Sequence, residues 1–324
     1  MVTLKDVAKR AGVSVSTASY SINGSSLITK ETKQKVLLAA KEIGYRTNGP
    51  AKNLKEKKTN IIGLFLSGFT GPFFTDMMEG IQDVVIQNGY ELMVYASDDN
   101  HRLLVERYVD GAIILNHHME DSFLKAIADE KLPCVVLDRE IKTPFINHVL
   151  LPNEQGSAMA VRYLLEKGHN RIGYMAGSRE SYDGEMRLKG FKTEMKKYNR
   201  SFSRKDLLRA DFTESSGYLA MSQYIEKRTQ DVPTAFICAN DEMAMGAIRA
   251  IKEKNLKIPD DIAIVGFDDI YVSKHFSPSI TTIKVPRKEW GTIAAQSLFK
   301  MMDSTYDAET MEAVSVELMS RTSG

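Results

Sequence analysis

Residues 3–23, TLKDVAKRAGVSVSTASYSIN, decide what the chain begins with. Thr3 followed three residues later by Asp6 is a capping-box start. Leu4, Val7, Ala8 and Ala11 then recur at i, i+3, i+4 and i+7, which puts them on one apolar helical face. Gly12 stops that helix, and Ser14 caps a second over residues 15–23, with Ala18 and Ile22 turned inward and Ser16, Thr17, Ser19 and Tyr20 outside. Thr29 caps a third helix whose face is Val36, Leu37, Ala40 and Ile43 and whose stop is Gly44. Two short helices sharing a glycine turn, with a third in support, predict a helix-turn-helix head over residues 1–46.

Charge sets that head apart from the rest of the chain. The formal net charge is only +1, yet residues 1–60 hold 12 Lys+Arg against 4 Asp+Glu, and the remainder holds 31 against 38. A small basic module on an acidic body fits a polyanion, since Lys and Arg gain affinity by releasing condensed counterions from phosphates.

After Tyr45 the chain turns polar and basic, NGPAKNLKEKKTN, with no apolar face, and reads as a linker over residues 47–59. From residue 60 short apolar runs alternate with amphipathic stretches: IIGLFL, YELMVYA, GAIIL, PCVVLD, RIGYMAG, LLRADF, TAFICAN and IAIVGFDD. Continuous apolar runs between helical segments read as parallel strands covered on both faces. The expected body, residues 60–324, is therefore two doubly wound parallel-sheet α/β lobes. Asn153 is the N-cap candidate of the helix that opens the second lobe.

Composition removes other classes. Hydrophobic residues at 43% and charged residues at 26%, with a mean hydropathy of −0.26, are those of a folded, water-soluble chain. The apolar runs fall far short of the roughly 18 residues of a spanning helix, so no membrane association is expected. The charged start MVTLKDVAKR lacks a secretory apolar stretch, which places the chain in the cytoplasm if Met1 is its true start. Cys134 and Cys238 lie inside apolar runs and read as buried thiols. The chain lacks GxGxxG after its first strand, a Walker loop and GxSxG, and its six His show no metal spacing. Neither an enzyme, nor a cofactor, nor a metal is expected, and His117-His118 reads as surface.

Head, linker and paired lobes in this order resemble the lactose repressor (LacI/GalR) family of bacterial transcription regulators. The resemblance rests on TLKDVAKRAGVSVSTASYSIN, TKETKQKVLLAAKEIGY, GPFFTDMMEGI, GHNRIGYMAG, RLKGF, ICANDEMAMGAIRA, IAIVGFDD and SPSITTIKVPRKEWG. It implies a periplasmic-binding-protein-like body, with lobe one at about 60–152 and 283–312 and lobe two at about 153–282 and 313–324. It also implies a homodimer on palindromic operator DNA, controlled by a sugar-like effector or by a phosphoprotein co-regulator. Val15, Ser16 and Tyr20 take the family's base-reading positions, with Thr17, Ser19 and Asn23 on phosphates. Tyr20 stands where many members carry arginine, so a guanine preference does not carry over. In the linker, Leu54 takes the place of the leucine that wedges into the minor groove, while Lys52 replaces a common Arg. Between residues 97 and 111 the chain is shorter than the family habit, so the covering helix near residues 103–108 is expected to be short.

Ligands of open parallel sheets lie beyond the carboxyl ends of the strands. Asp138, Asn240 and Asp268 end apolar runs there, the resemblance adds Arg187 from RLKGF, and Phe73 or Phe74 with Phe212 supplies aromatic walls. Amide, carboxylate and guanidinium groups with a ring to stack on suit a polyhydroxylated ligand. Asn240 reads equally as the N-cap of the following helix, and Asp138 as the ion partner of Arg139.

Overall fold

In the head, α1 (Leu4–Ala11), α2 (Val15–Ile22) and α3 (Lys30–Glu42) are each opened by a hydroxyl residue. Asp6 accepts from both the amide (2.9 Å) and the hydroxyl (2.8 Å) of Thr3, and those bonds hold its carboxyl below the usual range. Gly12 adopts φ +64°, the left-handed turn that lets α2 fold back across α1. Val7, Ala8, Ala11, Ala18, Val36, Ala39 and Ala40 form the core. Leu37, expected in that core, is 51% exposed, because the buried row of α3 is 36, 39, 40 and not 37.

The computed structural model describes residues 2–47, 49, 52–53, 57–69, 71–97, 101–129, 132–227, 232–303 and 314–324. The chain divides into two compact units, Met1–Thr59 and Asn60–Gly324. Leu54 lies outside the described residues.

The larger unit has two sheets. The first runs β2-β1-β3-β4-β5, all parallel, from β1 (Ile61–Leu66), β2 (Glu91–Ala96), β3 (Gly111–Leu115), β4 (Cys134–Val136) and β5 (Ile146–His148). In β1, Ile62, Leu64 and Leu66 join one core cluster and Phe65 another, so the continuous apolar run serves both faces. One face packs on α4 (Phe73–Gln87) and α11 (Arg287–Met302). These helices touch through glycines: a Cβ on Gly80 would lie 2.0 Å from the Lys288 carbonyl oxygen, and one on Gly291 2.2 Å from that of Met77. On the other face, α5 (Arg102–Val105) is four residues long, the short helix expected there, and α6 (Asp121–Asp129) completes the cover.

The second sheet runs β11-β10-β9-β8-β6-β7. Its strands are β6 (Ile172–Ala176), β7 (Leu207–Arg209), β8 (Ala235–Cys238), β9 (Ala263–Asp268), β10 (Thr281–Lys284) and β11 (Glu317–Met319), with α7 (Asn153–Glu166), α8 (Tyr182–Lys197), α9 (Glu214–Glu226) and α10 (Asp241–Glu253) between them. All pair in parallel except β11, which joins β10 antiparallel, so this lobe is not purely parallel. Because β10 stays in this sheet to Lys284, the chain returns to lobe one at Val285 and Pro286, two residues beyond the expected 283. Asn153 is not the cap of α7. Pro152 takes that position, and the Asn153 amide is drawn to other partners.

Candidate functional site

On α2 the head presents Val15, 42% exposed, and Tyr20, 49% exposed, with Ser16 and Asn23 also in the open. Thr17 and Ser19 are only partly exposed, against the expectation that both lie outside. The Thr17 amide donates to Ser14 Oγ (3.0 Å), the two hydroxyls lie 2.8 Å apart, and the buried Ser21 hydroxyl donates to the Thr17 carbonyl (2.8 Å). Thr17 is thus tied into the helix cap, while Val15, Ser16 and Tyr20 form an open polar and apolar strip suited to base edges.

In the larger unit a cavity of about 430 Å³ opens at the carboxyl ends of both sheets, within the usual size of small-ligand sites. Asp138, Arg187, Asn240, Asp268, Phe73 and Phe212 all line it. Asp138 and Phe73 come from lobe one, the others from lobe two. Phe212 has φ +69°, and a Cβ on Gly177 would fall 2.1 Å from its ring, so the missing side chain at 177 makes room for this aromatic wall.

Several of these groups already hold partners. Arg187 is 3% exposed, donates from Nε to Asn153 Oδ1 (2.8 Å) and from Nη1 to the Ala239 carbonyl (2.6 Å), and stacks 3.8 Å from the Phe267 ring centroid. Asn240 does cap α10, accepting from the Met243 amide (2.9 Å), while its Nδ2 donates to the Phe212 carbonyl (2.8 Å). It is a positioning group as well as a wall of the cavity. Asp138 pairs through Oδ1 with Arg139 (2.8 Å). Its Oδ2 is buried with no hydrogen-bond partner. Asp268, at φ +104°, has Oδ1 3.2 Å from Arg187 Nη1, an ion pair without the alignment of a hydrogen bond, so that oxygen too has no hydrogen-bond partner. Each lobe therefore holds one buried carboxylate oxygen without a hydrogen-bond partner, on a residue that lines the cavity.

Burial raises the carboxyls of Asp138 and Asp268 above the usual range, opposed by Arg139 for the first and by Arg187 and Arg287 for the second. Burial also pushes Asp183 up to about 6 against the pull of Arg187 and of the Asn153 amide, which donates to its Oδ1 at 2.6 Å. Glu242 is raised by burial and by Asp268. The lining holds five carboxylates, Asp138, Asp183, Asp211, Glu242 and Asp268, and one guanidinium already engaged. Such a lining is rich in acceptors for hydroxyl donors.

Asn153, Asp183 and Glu242 were not singled out as site residues by sequence, Asn153 being read only as a helix cap, because each sits within the first turn of a helix and carries no strand-end signal. Nor was Arg287, 6% exposed, which bonds Asp76 of α4 (2.8 Å) and the Asp268 carbonyl and so pins the lobes together beside the cavity. Buried Asp241 accepts from Ser273 (2.6 Å), Thr282 (2.6 Å) and the Ile270 amide (3.0 Å), holding the loop after β9 in place. Cys134 and Cys238 are free and buried, and burial raises both thiols.

Residues 3–48 match the family of bacterial regulatory proteins named for lacI, and residues 161–324 match the periplasmic binding protein-like domain. The HTH-type transcriptional repressor PurR of Proteus mirabilis (strain HI4320) is 34% identical over 322 residues, 96% of this chain and 94% of that protein. A lac repressor dimer bound to operator and the anti-inducer ONPF superimposes with a TM-score of 0.85 at 29% identity, covering 99% of this chain and 98% of that one. A complex of the transcriptional regulator CelR with cellobiose gives a TM-score of 0.76 at 27% identity over the whole of both chains. The chain belongs to the LacI family of helix-turn-helix transcriptional regulators. Among the described residues no helix is long and apolar enough to cross a membrane.

Proposed function

We propose that this protein is a cytoplasmic transcriptional repressor that reads a near-palindromic operator as a homodimer and alters its grip on DNA when a small uncharged sugar fills the cleft. The observation that carries the ligand class is the pair of buried carboxylate oxygens without a hydrogen-bond donor, Asp138 Oδ2 and Asp268 Oδ1, one from each lobe, on residues that line the cavity. Sugar hydroxyls donate to such oxygens, and Phe73, Phe74 and Phe212 cover C–H faces. Five lining carboxylates disfavour sugar phosphates and uronates. The cellobiose complex of CelR supports the same class. Arg187 and Asn240 orient the acceptors and complete the site.

Val15, Ser16 and Tyr20 read bases, and Ser19 and Asn23 face phosphates, with Thr17 holding the helix cap beside them. Leu54 wedges into the minor groove from the hinge, whose lysine-rich stretch, residues 50–58, is too short to hold a stable helix in water by itself, so that the operator stabilises its helical form. Ligand and operator then bias one two-state element and affect each other's affinity reciprocally. The protein binds its ligand and does not turn it over.

The test joins gel shift on the operator to a calorimetric screen of neutral sugars, sugar phosphates and nucleosides. A neutral sugar recovered unchanged, with a change in operator affinity, is the expected outcome. A screen in which no small molecule binds would overturn the ligand assignment in favour of a phosphoprotein co-regulator.

A further inference from the structure

His117 and His118 follow β3 in lobe one, and Glu180 follows β6 in lobe two, yet one ligand atom from each lies within 4.8 Å of the others. Adjacent histidines on one strand would point apart; here the turn brings their rings to 4.0 Å between centroids. The turn is held from beneath. Asn116 donates to the carbonyls of Leu66 and Ser97 (both 3.0 Å) and accepts from the His118 amide (3.0 Å). Arg139 donates to the carbonyls of Asn116 (3.3 Å) and Met119, which bracket the two histidines. Asp121 (2.7 Å) and Asp138 (2.8 Å) fix that arginine in turn. On the facing side the Glu180 amide donates to Ser178 Oγ (3.3 Å), shaping the turn that carries the carboxylate across.

From this geometry we infer that His117, His118 and Glu180 form a divalent transition-metal site of the zinc class, closed only when the two lobes face each other as they do here. Two imidazole nitrogens and one carboxylate are the donors of Zn²⁺ and its first-row neighbours; Mg²⁺ and Ca²⁺ take all-oxygen shells. Metal–ligand bonds of about 2.0–2.2 Å require the three atoms to draw together by roughly an ångström, which exposed side chains do by rotamer adjustment. Three protein ligands leave a tetrahedral ion one open position. Both histidines line the cavity, so a bound ion sits at its mouth. The ion ties lobe one to lobe two independently of any organic ligand, and the inference does not depend on the effector's identity.

The experiment uses the full chain, stripped with chelator, with Zn²⁺ alone in calorimetry and Co²⁺ alone as the spectroscopic probe. The expected result is one ion per chain, a Co²⁺ visible spectrum of tetrahedral strength, and a Zn²⁺-induced rise in melting temperature. Glu180→Gln and the double variant His117→Ala/His118→Ala, all at exposed positions, are each expected to weaken Zn²⁺ at least tenfold and to remove the rise. No uptake by the parent chain overturns the site. Uptake unchanged in the histidine variant places the ion elsewhere and overturns it as well, and uptake unchanged in Glu180→Gln overturns the inter-lobe ligation.

Discussion

Asp138 and Arg187 both line the cavity, but their losses differ in kind. Asp138 offers a free acceptor, and its neighbour Arg139 keeps Asp121 and two carbonyls when Asp138 is removed. Asp138→Ala is therefore expected to weaken the sugar by about tenfold or more, the cost of about 1–3 kcal/mol for an unmet buried hydroxyl, with little change in melting temperature. Arg187 neutralises a buried carboxylate, and Arg187→Ala leaves Asp268 beside the cavity without it. That variant is expected to lose about 3–5 kcal/mol of stability in denaturant titration as well as the ligand. Asp183 adds a pH signature. Its folded-state value of about 6 lies above the ordinary 3.8, so the folded chain holds this proton more tightly than the unfolded one. The stability it confers is full below about 4 and is lost as pH rises to about 6. Asp183→Asn keeps an acceptor for Asn153 and is expected to remove that fall from stability curves measured between pH 4 and 6.

At the scale of elements, α4 and α11 meet where two glycines let backbone approach backbone. Gly80→Ala puts a methyl 2.0 Å from a carbonyl oxygen that belongs to another helix, and the helices must part. A loss of about 1–3 kcal/mol, the cost of overpacking, is expected in thermal unfolding, while operator binding by the intact fraction persists. In the head, Tyr20→Ala is expected to weaken specific operator far more than random DNA in gel shift, since the ring is on the open face of α2 and its loss leaves the core of Val7, Ala18 and Val36 untouched. How legible each element is in the sequence depends on how strongly its burial marks the residue pattern. The eight apolar runs from IIGLFL to IAIVGFDD each contain a strand, and where the strand is buried throughout, as in β4, β6, β8 and β9, burial on both faces writes an unbroken hydrophobic stretch. β5, with INH, has no such stretch and was invisible. Leu37 misled because a leucine beside the true stripe looks like part of it. In the cleft, Asp138, Asn240 and Asp268 were legible from chain direction alone, as groups just past strand ends. Asn153, Asp183 and Glu242 required knowing which helix starts converge there, and Glu180 reaches His117 and His118 from the other lobe, which no local pattern encodes.

For the whole molecule, the division at Thr59 and Asn60 leads to a direct test. A chain lacking residues 1–58 is expected to keep the cooperative unfolding of the body and its sugar affinity, and to lose operator binding in gel shift. The full chain's affinity is expected to fall linearly with log salt as phosphate contacts release counterions. The α4–α11 contact has one more consequence, which concerns biosynthesis. Asp76 and Arg287, joined across it, are 211 residues apart in the chain. At about 5–20 residues per second, the ribosome delivers α11 roughly 10–40 s after α4. During that interval lobe one exposes the sheet face that α11 will cover, while the strands and helices of lobe two from residue 153 to 284 are already made. Of lobe two only the edge strand β11 is then still to come, so the nascent first lobe, with one sheet face uncovered, is the stretch most in need of a chaperone.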